Sequence, residues 1–340
     1  MKHSASSKPH GCFVRPMPLA PQIDPDASFT FVVNGASGAA GADAKREVIE
    51  AALAAAGRRG EVLMTPAGEL AAVARSAAAR AKAGRSAIVA VGGDGTINAV
   101  AQAAHDEGCA LGVVPQGTFN YFARTHDLPL EPNVAVAALL SASPHPVQVG
   151  SVNGTVFLVN ASLGLYPDLL EDRETYKSRF GRSRLVAFGS GLVTLMREHR
   201  QLNLRIDQGG EARTVRTPTL FVGNNRLQLE QVGLHPSGCV DEGRVAAVML
   251  KPIGTASMLW LLLRGAFGSL GDADDIESFA FQHMVVTPAR NWGRKGVKVA
   301  FDGEVARMRP PLCFEVSPRP LWLLKSDDTG VAGTPAESAG

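Results

Sequence analysis

Gly92-Gly93-Asp94-Gly95-Thr96 places two kinds of chemistry within five residues. Its three glycines free backbone N–H groups to cradle a phosphate. The run lies between an apolar stretch, Ser86 to Val91, and a helical pattern set by Ile97, Val100, Ala101 and Ala104, so it opens a helix whose N-terminus favours anions. Asp94 alters that reading. A carboxylate facing a polyphosphate is repelled unless a cation lies between them, which points to a metal-bound nucleoside triphosphate rather than a dinucleotide. The plain alternative is a tight strand-to-helix turn with an exposed acid.

A second polar glycine turn, Pro115-Gln116-Gly117-Thr118-Phe119-Asn120, follows the strand-like run Ala110 to Val114, one strand-helix unit later. Alone it reads as a turn in which Thr118 or Asn120 caps the next helix. Beside the first loop it reads as the other wall of a nucleotide site, because ligands of open α/β sheets bind at the carboxyl ends of the strands. Two other nucleotide loops are disfavoured by the residues. No glycine is followed by Lys-Ser or Lys-Thr, as a Walker loop requires, and the run from Gly93 lacks the third glycine of a dinucleotide turn.

With both motifs in view, the sequence resembles the diacylglycerol kinase catalytic superfamily, in particular its bacterial lipid kinases related to sphingosine kinases. GGDGT followed by P-x-G-T-x-N is matched by Gly92 to Thr96 and Pro115 to Asn120. Asn34-Gly35-Ala36-Ser37-Gly38 stands where the family has an N-P-x-S-G-like turn, Thr65 where it has a nucleotide-contacting Thr, and Asp302-Gly303-Glu304 where it has D-G-E. The resemblance implies ATP and Mg2+, with Asn34, Thr65, Gly92, Gly93, Asp94, Gly95, Thr96, Asn98, Gly117, Thr118 and Asn120 at the nucleotide and Asp94 on the metal. It also implies Glu304 as the base toward a lipid hydroxyl, with Asp302 holding or tuning it; within the superfamily the base role is alternatively given to the GGDGT aspartate. From spacing alone, Asp302-Gly303 between alternating runs is a hairpin turn.

Two departures from the family pattern stand out. Tyr121 occupies a position where many members have Asp. The D-D-G-L-like loop that carries a cation in some members reads Asp241-Glu242-Gly243-Arg244 here, which is equally a metal loop on Asp241 and Glu242 or a β-turn with a local ion pair.

The elements that must position these residues change character along the chain. Strands are expected at Phe29 to Val33, Glu61 to Met64, Ser86 to Val91 and Ala110 to Val114, with helices at Ala44 to Ala56, Glu69 to Ala83, Thr96 to Glu107 and Asn133 to Ser141. That alternation predicts a doubly wound parallel α/β domain over 28–145. Beyond Pro144 and Pro146 the expected strands are Pro146 to Val152, Thr155 to Ala161, Leu202 to Ile206, Thr217 to Val222, Arg244 to Leu250, His283 to Thr287, Val297 to Phe301 and Cys313 to Val316. They predict an antiparallel β-sandwich-like domain over 146–320 that holds the acceptor, interrupted by helices near Arg184 to His199 and Thr255 to Phe267. The resemblance implies that Leu321 to Leu324 is a final strand returning to the first domain, and residues 1–27 and 327–340 read as disordered tails.

Composition sets the outer limits. With 340 residues, 45% hydrophobic and 19% charged, the chain can bury a large core. A net charge of +2 is too mild to imply nucleic acid. Cys12, Cys109, Cys239 and Cys313 show no paired spacing and fit thiols of a reducing cytosol. The apolar stretch Met258 to Leu263 is far shorter than the roughly 20 residues of a membrane span, so a cytoplasmic protein, at most peripheral at the inner membrane face, is expected. Transient membrane contact is assigned to Arg173, Lys177, Arg179, Arg182 and Arg184 beside Tyr176 and Phe180, or else these form a solvated face. Trp260 and Leu261 to Leu263 either rim an acyl cleft or face a core. The competing functions are a soluble-metabolite kinase of the NAD-kinase type and a nucleotide- or lipid-binding protein without turnover.

Overall fold

A computed structural model of the chain describes residues 18–35, 39–66, 68–164, 167, 201–231, 233, 238–252, 275–289 and 296–326. The expected helices at 184–199 and 255–267, the basic cluster at 173–184, Trp260, most of the N-terminal tail and the C-terminal tail lie outside these residues.

The first sheet contains β1 (Phe29–Asn34), β2 (Gly60–Thr65), β3 (Ala87–Gly92) and β4 (Ala110–Pro115), all parallel, in the order β2-β1-β3-β4. All six residues of β3 and of β4 are buried, as a strand covered on both faces requires. One face packs on α2 (Leu70–Ala83) and α3 (Asp94–Glu107), the other on α1 (Ala39–Ala55) and α5 (Pro132–Leu140). The helix α2 buries Ala74, Ala77, Ala78 and Ala81. These small side chains at helical spacing let it lie close to the sheet.

The sheet is extended by β5 (Ser143–Val147) and β18 (Leu321–Lys325), with β18 parallel to β4 and antiparallel to β5. The return of Leu321 to Leu324 to this sheet follows from an apolar run, Leu-Trp-Leu-Leu, that is buried throughout. The expected segment Pro146 to Val152 is in fact two strands. The chain leaves the first sheet after Val147 and enters another at β6 (Gly150–Val152).

The remaining strands form two six-stranded antiparallel sheets packed face to face. One has the order β10 (Glu211–Thr217), β9 (Leu202–Gln208), β14 (His283–Pro288), β17 (Leu312–Val316), β6, β7 (Thr155–Phe157). The other runs β13 (Ile276–Phe281), β12 (Val245–Leu250), β11 (Thr219–Gly223), β8 (Asn160–Gly164), β15 (Val297–Phe301), β16 (Glu304–Met308). Alternate residues from both sheets, among them Leu163, Leu204, Ile206, Val222, Ala247, Val286, Val299 and Phe314, meet in one core, as a sandwich requires. The architecture is therefore the expected one, a parallel α/β unit followed by antiparallel β-sheets. Thr155 to Ala161 also divides, since β7 and β8 belong to different sheets.

Two short helices sit where the units meet. They are α4 (Tyr121–Thr125), which begins immediately after the second glycine turn, and α6 (Arg226–Gln231), which packs against it. Among the described residues no helix is long and apolar enough to cross a membrane.

Candidate functional site

The carboxyl ends of β1 to β4 form one row because the strands are parallel and in register. Asn34 stands opposite Thr65, and Gly92 opposite Pro115. The two glycine turns leave from neighbouring members of this row and touch. The Gln116 N–H donates to the Gly92 carbonyl at 2.8 Å, and a Cβ on Gly117 would come within 2.8 Å of Gly93 Cα and of Asn120 Oδ1.

Asn120 buckles its own loop. Its backbone is left-handed, with φ 50°. Its Oδ1 accepts the Gly117 N–H at 2.9 Å and its Nδ2 donates to the Gly117 carbonyl at 3.0 Å. Its side chain therefore shapes the cradle from within. Gly117→Ala is expected to push the two loops apart, because the obstruction includes backbone and not only a flexible side-chain end. The expected loss is roughly 1–3 kcal/mol of stability, read by urea unfolding.

Asp94 is the first residue of α3, two residues earlier than the pattern predicted, with Gly93 as N-cap. Its Oδ2 accepts the Asn120 N–H at 3.1 Å, so the carboxylate also faces the start of α4. Burial pushes its pKa above the ordinary value, and the N–H groups of Asn120, Tyr121 and Phe122 pull it back. The other oxygen, Oδ1, is buried without a hydrogen-bond partner. A buried carboxylate oxygen with an unfilled lone pair, beside a glycine cradle, is a donor suited to a hard oxygen-seeking cation. The residues present thus fit Mg2+.

The other expected nucleotide residues divide. A Cβ on Gly92 would lie 2.7 Å from Thr96 Oγ1, so the hydroxyl of Thr96 is folded under the loop, where it accepts Asn34 Nδ2 at 3.2 Å. That bond ties the end of β1 to α3. The Thr65 hydroxyl is buried and turned to the Leu63 carbonyl at 3.4 Å. Thr118 is exposed at the tip of the second turn. Beside it Phe119, 54% exposed, stacks on Tyr121 with ring centroids 5.6 Å apart.

Asp302 is the junction between the two units. Asp302 and Gly303, with φ 46° and 91°, form the two-residue turn between β15 and β16, a conformation that suits the Asp-Gly pair. The Asp302 carboxylate is buried under four donors. Oδ2 accepts the Leu158 N–H at 2.6 Å and Asn98 Nδ2 at 2.6 Å; Oδ1 accepts the N–H groups of Val159 and Asn160, each at 2.9 Å. Asn98 also donates to the Val156 carbonyl at 3.1 Å, so its amide nitrogen is engaged with the sandwich and not with the cradle. Burial pushes the Asp302 pKa up to about 6 against the opposing pull of these donors.

The consequence is felt two residues on. With the hairpin pinned to α3 and to the β7–β8 connection, the exposed Glu304 hangs over the start of α3. Its Oε1 lies 3.6 Å from where a Cβ on Gly95 would be. Glu304 and the GGDGT loop are thus brought together from opposite units, whereas Asp302 stands behind Glu304 and away from the cleft.

Asp241 and Glu242 do not join this group. Asp241 pairs with Arg226 at 2.7 Å and Glu242 pairs with Arg244, while the N–H groups of Glu242 and Arg244 both donate to the Cys239 carbonyl. The residues form the β-turn with local ion pairs. Sequence reading missed Asn160, whose backbone N–H donates to Asp302 Oδ1 and whose carbonyl accepts the Asp302 N–H, while its side-chain Nδ2 donates to Gln228 Oε1 at 3.0 Å and its Oδ1 is buried without a partner; no spacing signal marks it.

Residues 28–152 match the family model of the diacylglycerol kinase catalytic domain. The chain is 32% identical over 243 residues to a Pseudomonas aeruginosa (strain UCBPP-PA14) protein named "Probable lipid kinase YegS-like", covering 70% of this chain and 76% of that protein. It is 28% identical over 239 residues to a diacylglycerol kinase of Bacillus subtilis (strain 168), covering 66% and 72%. Its fold is similar to the crystal structure of a diacylglycerol kinase from Bacillus anthracis str. Sterne, with a TM-score of 0.65 at 20% identity over 88% of this chain and 97% of that one. The chain belongs to the lipid kinase family defined by the diacylglycerol kinase catalytic domain.

Proposed function

We propose that the protein transfers the γ-phosphoryl group of ATP to a hydroxyl of a diacylglycerol-like lipid, with Glu304 as the general base. The observation that carries this reading is the meeting of Glu304 with Gly95 at the start of α3, two residues from the Asp302 clamp. Residues 28–145 with 321–325 form the nucleotide-binding unit and 146–320 the acceptor unit, so the reaction occurs where the units face each other.

Backbone N–H groups of Gly92, Gly93 and Gly95 and the N-terminus of α3 hold the phosphates. Asp94 would hold Mg2+ through its unpartnered Oδ1, and the ion would supply neutralisation of phosphate charge. Asn34 and Thr96 fix the floor of the cradle, Thr65 stands at the end of β2 opposite Asn34, and Gly117, Thr118 and Asn120 form its second wall. Glu304 takes the proton of the acceptor hydroxyl at its carboxylate as the oxygen attacks. Asp302 and Asn98 act on Glu304 only by positioning the hairpin. The protein works in the cytoplasm with transient contact at the inner membrane face, where its lipid resides.

Transfer of labelled γ-phosphate from ATP to a panel of diacylglycerol, sphingoid, phosphatidylglycerol, polyprenol and NAD acceptors tests the reading. A labelled lipid that is absent with Glu304→Gln supports it. Label on NAD alone, or nucleotide binding without any product, rejects it.

A further inference from the structure

On the outer face of the sandwich, away from the cleft, three side chains of different chemistry converge. The strands β14 and β17 are antiparallel neighbours with His283 directly opposite Glu315 and Val285 opposite Cys313. Side chains on a strand alternate, so Cys313 shares a face with Glu315 and lies diagonal to His283. The intervening residues Met284, Leu312 and Phe314 are fully buried in the core, which fixes His283, Cys313 and Glu315 on the outside. Cys313 Sγ is 3.2 Å from His283 Nε2. One ligand atom from each of the three residues lies within 4.8 Å of the others.

We propose that His283, Cys313 and Glu315 bind one soft divalent transition-metal ion of the Zn2+ class. Bond lengths to zinc set the spacing such a site needs. Tetrahedral angles with Zn–S and Zn–N at their usual lengths put sulfur and nitrogen about 3.5 Å apart, close to the separation already present. A thiolate, an imidazole and a carboxylate together select zinc or cobalt over Mg2+, which takes oxygen ligands almost exclusively. The fourth position faces solvent and takes water. Binding forms a metal–sulfur bond and releases the Cys313 proton to solvent.

The scaffold is stiff where the ligands leave it. Cys313 N–H donates to Asn153 Oδ1 at 2.7 Å, and the Asn153 N–H returns a bond to the Cys313 carbonyl at 3.0 Å. A ligand held by two-sided pairing needs little ordering on binding. Among the described residues this is the one group of three such ligands, and it shares no residue with the cleft. An ion there clamps β14 to β17 and stabilises the folded chain by mass action.

Co2+ titration of the reduced, chelator-treated full-length protein tests the site. One equivalent is expected to give a near-ultraviolet sulfur-to-cobalt charge-transfer band, removed by Zn2+ and unaffected by excess Mg2+. Cys313→Ser is expected to abolish the band, and His283→Ala to weaken binding roughly tenfold or more. Alkylation of Cys313, followed by peptide mass spectrometry in the wild-type chain, supplies a readout independent of how the variants fold. Cys109 and Cys239 are buried and serve as internal references. Stoichiometric Zn2+ is expected to slow Cys313 alkylation selectively. A missing band, a band retained in Cys313→Ser, or Cys313 alkylation unchanged by Zn2+ overturns the proposal.

Discussion

Glu304→Gln is expected to lower phosphoryl transfer by about 100- to 10,000-fold, the range typical of removing a positioned base, while leaving ATP affinity within a few-fold of the wild type. The substitution keeps shape and removes only the proton acceptor. Because Glu304 is exposed and its pairing with Phe301 across the turn is made by backbone, which the substitution keeps, the fold should be unaffected. Single-turnover transfer measured beside nucleotide binding checks both halves. Asp94→Asn should behave differently. It alters the carboxylate whose Oδ1 is unpartnered, so its expected signature is weakened metal-dependent nucleotide binding. If Glu304→Gln retains full transfer and Asp94→Asn loses the chemical step alone, the base is Asp94.

Asp302→Ala is expected to be the most destabilising single change among the candidate-site residues. It leaves three backbone N–H groups, those of Leu158, Val159 and Asn160, and the Asn98 amide without their acceptor. Orphaned buried donors cost about 1–3 kcal/mol each before relaxation and water entry, so a loss of roughly 3 kcal/mol or more is expected in chemical unfolding. The same carboxylate gives stability a pH dependence. Its folded pKa, raised to about 6 by burial, exceeds that of the unfolded chain. Its contribution is therefore fully present below about pH 4 and is lost as pH rises through about 6. Against Asp302→Asn, which cannot titrate, the wild type should gain relative stability on acidification across that window, on the order of 2 to 3 kcal/mol. A gap that shrinks on acidification would mean that the four donors outweigh burial.

The parallel half of the fold was legible because its central strands β1, β3 and β4 are buried on both faces and read as short unbroken apolar runs between alanine-rich helices. Leu321 to Leu324 is an apolar run of the same kind, but its return to this sheet was implied by the family resemblance and not by the run itself. The sandwich was blurred where burial alternates or fails. Glu-Ala-Arg-Thr-Val-Arg-Thr of β10 is almost wholly exposed, so no apolar pattern marks it, although Gly209-Gly210, both left-handed, is the turn signal that could have found its hairpin. Ser143–Val147 carries two prolines and pairs on one side with β18, which hid it between the two units. At the candidate site, the two glycine loops and the Asp-Gly turn were visible as local patterns. The contact between Asn98 and Asp302 was not, because it joins residues 204 apart and depends on how the units pack. The side-chain engagement of Asn98, Asn120 and Thr65 with nearby protein groups is likewise a three-dimensional fact that spacing does not encode.

In the proposed reaction the acid of the glycine loop and the phosphates share a cation while Glu304 faces the transferred group. A crystal structure with Mg2+ and a non-hydrolysable ATP analogue tests it most directly. The expected result is a triphosphate seated on Gly92 to Gly95, with the metal ion bound through Asp94 Oδ1 and the γ-phosphate on the Glu304 side of the loop. A triphosphate bound away from Asp94, or one turned so that Glu304 cannot reach an acceptor beside its γ-phosphate, would contradict it.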